Sequence, residues 1–80
     1  MEIKTLFFGI TTDLVGASQL EISIDENISV KEFKKILIDK FTSLKNINSY
    51  AIAINEEYAN DDEIINDRDV VAIIPPVSGG

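Results

Sequence analysis

Apolar and polar side chains first alternate along this chain, then recur at helical spacing, then alternate again, and each regime predicts an element. Residues 2–8, Glu-Ile-Lys-Thr-Leu-Phe-Phe, are β-branched and aromatic enough for a first strand. Alternation places Ile3, Thr5 and Phe7 on one face and Lys4, Leu6 and Phe8 on the other. Because Lys4 belongs in water, Leu6 and Phe8 point away from the core, where Phe8 either meets a partner or lies beneath the following loop. Gly9 to Gln19 reads as a connection, and Leu20-Glu21-Ile22-Ser23-Ile24 alternates as a second strand, paired with the first as a hairpin.

The pattern then changes period. Ser29-Val30-Lys31-Glu32 has the spacing of a capping box, which starts a helix of about 16 residues, roughly 24 Å long. Val30, Phe33, Leu37, Phe41 and Leu44, with Ile36 beside them, form the face laid on the sheet. Lys31, Lys34, Lys35 and Lys40 form the solvated side. Tyr50 to Asn55 alternates again as a third strand with Ile52 and Ile54 inward, and Asn55-Glu56-Glu57-Tyr58 follows as a polar turn. Asn66 to Asp69 is a last turn before the apolar run Val70-Val71-Ala72-Ile73-Ile74. The order strand, strand, helix, strand, short irregular segment, strand predicts an α+β fold with one helix on one face of one sheet.

Composition narrows what such a domain can do. At 80 residues it forms a single small core without room for a self-contained catalytic cleft, so an autonomous enzyme is not expected. Fourteen acidic against seven basic residues give a net charge of −7, which opposes binding to nucleic acid or to an anionic membrane and favours a basic protein partner. Seven of the acids fall between Glu56 and Asp69, where the only basic residue is Arg68. Within that stretch Asn60-Asp61-Asp62-Glu63 lacks the alternating ligands and central glycine of a calcium loop, so no metal site is expected. The N-terminal residues lack the basic and apolar regions of an export signal, and no stretch approaches a membrane span, so the expected location is cytoplasmic.

The remaining chemistry sits at the end of the sequence. With no cysteine and no histidine, the chain has neither a thiolate nucleophile nor a side chain that titrates near neutrality. After Ile74 come Pro75-Pro76-Val77-Ser78-Gly79-Gly80. Two prolines remove two backbone donors, so the chain leaves the sheet as a stiff arm, and six extended residues reach roughly 20 Å. Two glycines without Cβ atoms can thread a narrow tunnel and leave the final carboxyl carbon open to attack. The α-carboxylate of Gly80 is therefore the candidate reacting group. A carboxylate is a poor electrophile and needs activation, for which an acyl-adenylate made by a partner with ATP is the plausible route.

Three segments carry a family resemblance: Leu6-Phe7-Phe8-Gly9, Ile54-Asn55-Glu56-Glu57-Tyr58, and Asp69 through Gly80 with its Pro-Pro-Val-small-Gly-Gly ending. Together they resemble the small, sulfur-carrier subunits of molybdopterin synthase over the full length, most sharply in the last dozen residues. The resemblance implies a ubiquitin-like β-grasp domain over residues 1–74, one mixed sheet with its last strand beside the first, and a flexible carrier tail over 75–80. It implies that Gly80 is adenylated by an E1-like activating enzyme, becomes a thiocarboxylate, and donates sulfur to cyclic pyranopterin monophosphate inside the large synthase subunit. The chain is then a non-catalytic sulfur donor that binds no cofactor stably, with ATP used by the activating enzyme. Gly79 allows passage of the tail, and Phe8, Tyr58 and Ile74 bind the partner together with Pro75, Pro76, Val77 and Ser78 of the arm. A sulfur carrier for thiazole synthesis in the thiamine route, and a ubiquitin-like modifier joined to lysines, are the alternatives. One departure stands out: the family's Asp-Gly-Asp before the last strand is Asp67-Arg68-Asp69 here, placing arginine where a turn often holds a glycine at positive φ.

Overall fold

The computed structural model describes residues 1–46 and 50–76. Strand β1 (Glu2–Phe7) pairs antiparallel with β2 (Gln19–Ser23) and parallel with β5 (Val70–Ile74). Strand β5 pairs antiparallel with β3 (Ala51–Ile54), and β3 with a two-residue β4 (Glu57–Tyr58), giving the order β2-β1-β5-β3-β4. The last strand therefore occupies the centre, beside the first. A parallel pair needs a long crossover, and here two helices, a 3-10 segment and three further strands lie in sequence between β1 and β5.

Register turns the alternation into one apolar stripe. Ile3 stands opposite Ile22, Thr5 opposite Val71, and Phe7 opposite Ile73, which in turn faces Ile52. All are buried, and Val30, Phe33 and Leu37 of helix α2 (Val30–Lys40) cover them. The helix starts as its sequence predicts: the Glu32 N–H donates to Ser29 Oγ at 3.2 Å and the Ser29 N–H to Glu32 Oε1 at 3.2 Å. Two more amides of the first turn are satisfied by a strap, as the Val30 and Lys31 N–H groups donate to the carbonyls of Glu63 and Asp61 at 2.9 and 3.0 Å. The acidic segment is thus more than a solvated surface, because it closes the helix start and buries Ile65 in the core.

The helix is shorter than its periodicity predicts, 11 residues instead of about 16. The chain turns at Phe41 into a 3-10 segment, Thr42–Asn46. Helical periodicity alone would continue the helix through Phe41 and Leu44. The tighter turn instead sets Phe41 edge-on to Phe7, with ring centroids 6.1 Å apart, and buries Leu44. The stretch read as a connection also holds a helix, α1 (Ile10–Val15). Six residues are too few to show a period, and side-chain hydroxyls make its corner: Thr12 donates to the Phe7 carbonyl at 3.0 Å, while Ser43 of the 3-10 segment donates to the Leu14 carbonyl at 2.9 Å.

Two smaller differences follow from packing. The expected polar turn after β3 is shorter, and its last two residues form β4. Ile54 is only half-buried, at the margin of the core that Ile52 enters fully. On the helix surface Lys34 is not simply solvated: its Nζ pairs with Asp61 at 3.0 Å and lies 5.8 Å from the centre of the Tyr50 ring. Burial raises the pKa of the Tyr50 phenol above its ordinary value.

Candidate functional site

The sheet face turned away from α2 carries the other half of the alternation. Leu6 and Phe8 from β1 and its end, Val70, Ala72 and Ile74 from β5, and Ala53 from β3 surround a shallow concavity of about 310 Å³, with Glu56 and Tyr58 at its margin. Phe8, Tyr58 and Ile74 are therefore brought to one place from three separate parts of the sequence. Strand pairing explains how. Lys4 faces Val70 and Leu6 faces Ala72, so the outward residues of β1 and β5 form one surface.

Each of these side chains is held by local structure. The Phe8 N–H donates to Thr11 Oγ1 at 3.0 Å, and the same hydroxyl donates back to the Phe8 carbonyl, so the residue is fixed from both sides. Of the two alternatives for Phe8, the loop does not cover it, and its side chain remains 49% exposed. Tyr58 is 74% exposed on β4, directly across from Ala53. The tight turn that returns the chain to it has Asn55 and Glu56 at φ 50° and 72°. Two successive left-handed residues suit the twist of a hairpin, and asparagine tolerates that region better than most side chains.

The root of the tail lies beside this concavity. Ile74 ends β5 and Pro75 follows, packed over the corner between β1 and α1. Gly9 occupies that corner at φ 56°, and a Cβ there would lie 3.1 Å from Pro75 Cγ. A side chain at this position would meet both a strained backbone and the proline ring. In the sequence Gly9 stands out only as the start of a connection and the end of the Leu6–Gly9 segment; its seat under Pro75 depends on the parallel pairing of β1 with β5, which no local pattern reveals. Val77, Ser78, Gly79 and Gly80 lie outside the described residues.

Charge is distributed unevenly around Tyr58. On its far side from the concavity, Glu57, Glu63 and Asp69 line a second, polar cleft whose wall contains no lysine or arginine. Tyr58 is thus a ridge between an apolar hollow and an acidic one. Such an arrangement suits docking: an apolar anchor within a charged border. Among the described residues no group of three or more histidine, cysteine, aspartate or glutamate side chains is placed to hold a metal ion.

Residues 5–80 match the ThiS family. The chain belongs to that family. A relative from Arabidopsis thaliana, named molybdopterin synthase sulfur carrier subunit, is 38% identical over 81 residues, covering 100% of this chain and 84% of its own length. Among solved structures, the complex of subunits 1 and 2 of the molybdopterin-converting factor from Helicobacter pylori contains a chain 29% identical to this one, with a TM-score of 0.70 and 100% of both chains covered. The small archaeal modifier protein 1 from Methanosarcina acetivorans superposes with a TM-score of 0.81 at 26% identity, over 99% of this chain and 96% of its own. The fold is the ubiquitin-like β-grasp. Arg68, which stands where the resemblance leads one to expect a glycine, holds φ 69°, so the turn has a left-handed residue without a glycine.

Proposed function

We propose that this ThiS-family chain is the sulfur-carrier subunit of a molybdopterin synthase. The observation that carries the reading is the coincidence of an open apolar concavity with the root of the arm: Ile74 lines the hollow, and the next residue, Pro75, begins the arm. A partner seated on Phe8, Tyr58 and Ile74 would receive whatever emerges beyond Pro76. The full-length relative from A. thaliana and the two-subunit complex from H. pylori support this choice of partner, the large synthase subunit.

In this reading the chain contributes a carboxyl group and an address. An E1-like activating enzyme joins the Gly80 carboxylate to the AMP part of ATP, releasing pyrophosphate. A sulfur donor then displaces AMP, leaving a thiocarboxylate. Docking of the concavity delivers that sulfur to cyclic pyranopterin monophosphate in the large subunit, with Gly79 passing the tunnel and Pro75 to Ser78 spanning the distance. The chain supplies no acid, base or metal to the step, acts in the cytoplasm, and holds no cofactor of its own. A fixed docking face matters because misplacing a reacting atom by about 1 Å can cost on the order of a hundredfold in rate.

Intact-mass analysis after co-expression with the activating enzyme tests this. The expected product carries one oxygen-to-sulfur exchange, located at Gly80, and removing Gly80 abolishes it while the fold is retained. Sulfur on the trimmed chain would overturn the assignment. Isopeptide-linked ladders in place of a free thiocarboxylate would favour the modifier alternative.

A further inference from the structure

Two turns meet beside the docking face, and a single side chain joins them. Asn55 opens the β3–β4 turn; its Nδ2 donates to Asp69 Oδ1 at 2.9 Å, and its Oδ1 accepts from the Val70 N–H at 3.0 Å. The Asn55 N–H also donates to the Val70 carbonyl at 2.8 Å. Asp69 in turn closes the turn before β5, its Oδ2 accepting from the Asn66 N–H at 2.7 Å. Every polar atom of the Asn55 side chain thus has a partner on the segment leading into β5. Among the described residues, three of the four non-glycine residues at positive φ, Asn55, Glu56 and Arg68, lie in these two facing turns. Left-handed backbone disfavours Glu56 and Arg68 in particular, so this corner holds its shape through cross-links more than through backbone preference.

We propose that Asn55 is a positioning residue for partner docking. Strand β4 has only two residues and a single neighbour, β3, so its own pairing holds it weakly. The Asn55 to Asp69 clamp ties the start of that hairpin to the central strand that ends at the tail. Tyr58, three residues on, is thereby presented at the margin of the concavity in a fixed relation to Ile74. Loss of the clamp loosens the hairpin, which keeps the backbone bond from Asn55 to Val70, without uncovering the core, because Glu57 and Tyr58 are already exposed. The inference rests on the docking role proposed for Tyr58.

The test compares binding of the large synthase subunit from the same organism by four full-length variants, Tyr58→Ala, Asn55→Gly, Asn55→Asp and the exchange Asn55→Asp with Asp69→Asn. Asn55→Gly keeps a residue at ease at positive φ and deletes only the clamp, and we expect about five- to tenfold weaker binding with a melting temperature near the parent's. In sulfur transfer the same variant raises the KM for the carrier and leaves kcat unchanged. Asn55→Asp sets two carboxylates face to face and weakens binding further. The double exchange restores it to within about twofold, since the amide now at position 69 donates where position 55 did and the backbone bonds from Asn66 and Val70 keep their acceptors. Parent-like binding by Asn55→Gly, or no rescue by the exchange, overturns the positioning role while Tyr58→Ala still binds weakly. Parent-like binding by Tyr58→Ala overturns the docking role itself.

Discussion

The two faces of the sheet are built from the same strands, yet one is closed and the other open. On β5, Val71 and Ile73 are fully buried under α2, while Val70, Ala72 and Ile74 between and beside them remain partly accessible. Chemically the two sets are almost interchangeable. What separates them is parity along the strand and the fact that, among the described residues, a single long helix covers one face. An apolar surface left open in so small a domain needs another protein to cover it, so the open face reports function and the closed face reports stability.

The sharpest way to test that division uses neighbours in the sequence. Ile73→Ala empties a packed site and is expected to cost about 2 to 5 kcal/mol of folding stability, enough to unfold much of a domain this small. Ile74→Ala, one residue on, should cost less than half as much in urea denaturation and instead weaken binding to the large subunit. Equal losses of stability at the two positions would erase the distinction between the faces.

On the open face the largest expected effect on binding belongs to the aromatics. Phe8→Ala and Tyr58→Ala should each weaken binding of the large subunit by about 1 to 3 kcal/mol. Their thermal melts should move little, because neither ring is packed in the core. Calorimetric titration paired with a melt of each variant separates the outcomes. A drop in melting temperature with unchanged affinity would make these rings structural. Raised salt should slow association more than it speeds dissociation, since the acidic cleft beside Tyr58 acts at a distance.

The same contrast explains what could be read from the sequence. Ile3 and Phe7 are legible as core, and Phe8 as outward, because strand alternation is local and strict. The capping box at Ser29 was legible for the same reason. Illegible features depend on distant pairing. Helix α1 is too short to show a period, and the buried Thr11 hydroxyl that pins Phe8 is visible only once the corner is built. The strap across the start of α2 is held by backbone carbonyls of Asp61 and Glu63 and by the Lys34–Asp61 pair, all contacts between segments far apart in the sequence. Periodicity makes α2 look longer than it is, because it continues through Phe41 and Leu44, although the chain reaches those positions by a different turn.

The smallest expected effect lies between the faces, at the turn that leads into β5. Arg68 holds φ 69°, a conformation costing an L-residue roughly 1 to 2 kcal/mol relative to its preferred regions. Arg68→Gly removes that strain, but glycine also gains freedom in the unfolded chain, which returns about 0.4 to 1 kcal/mol of the benefit. The net expectation is a gain of about 0.5 kcal/mol, or roughly 2 to 4 °C in melting temperature for a domain of this size. Arg68 lines neither the apolar concavity nor the acidic cleft, so affinity for the large subunit should stay near the parent's despite the lost positive charge. A thermal melt decides the point: a lower melting temperature would mean that the arginine side chain contributes more than its backbone costs, and that this turn is held by contacts beyond the Asp69 and Asn55 hydrogen bonds.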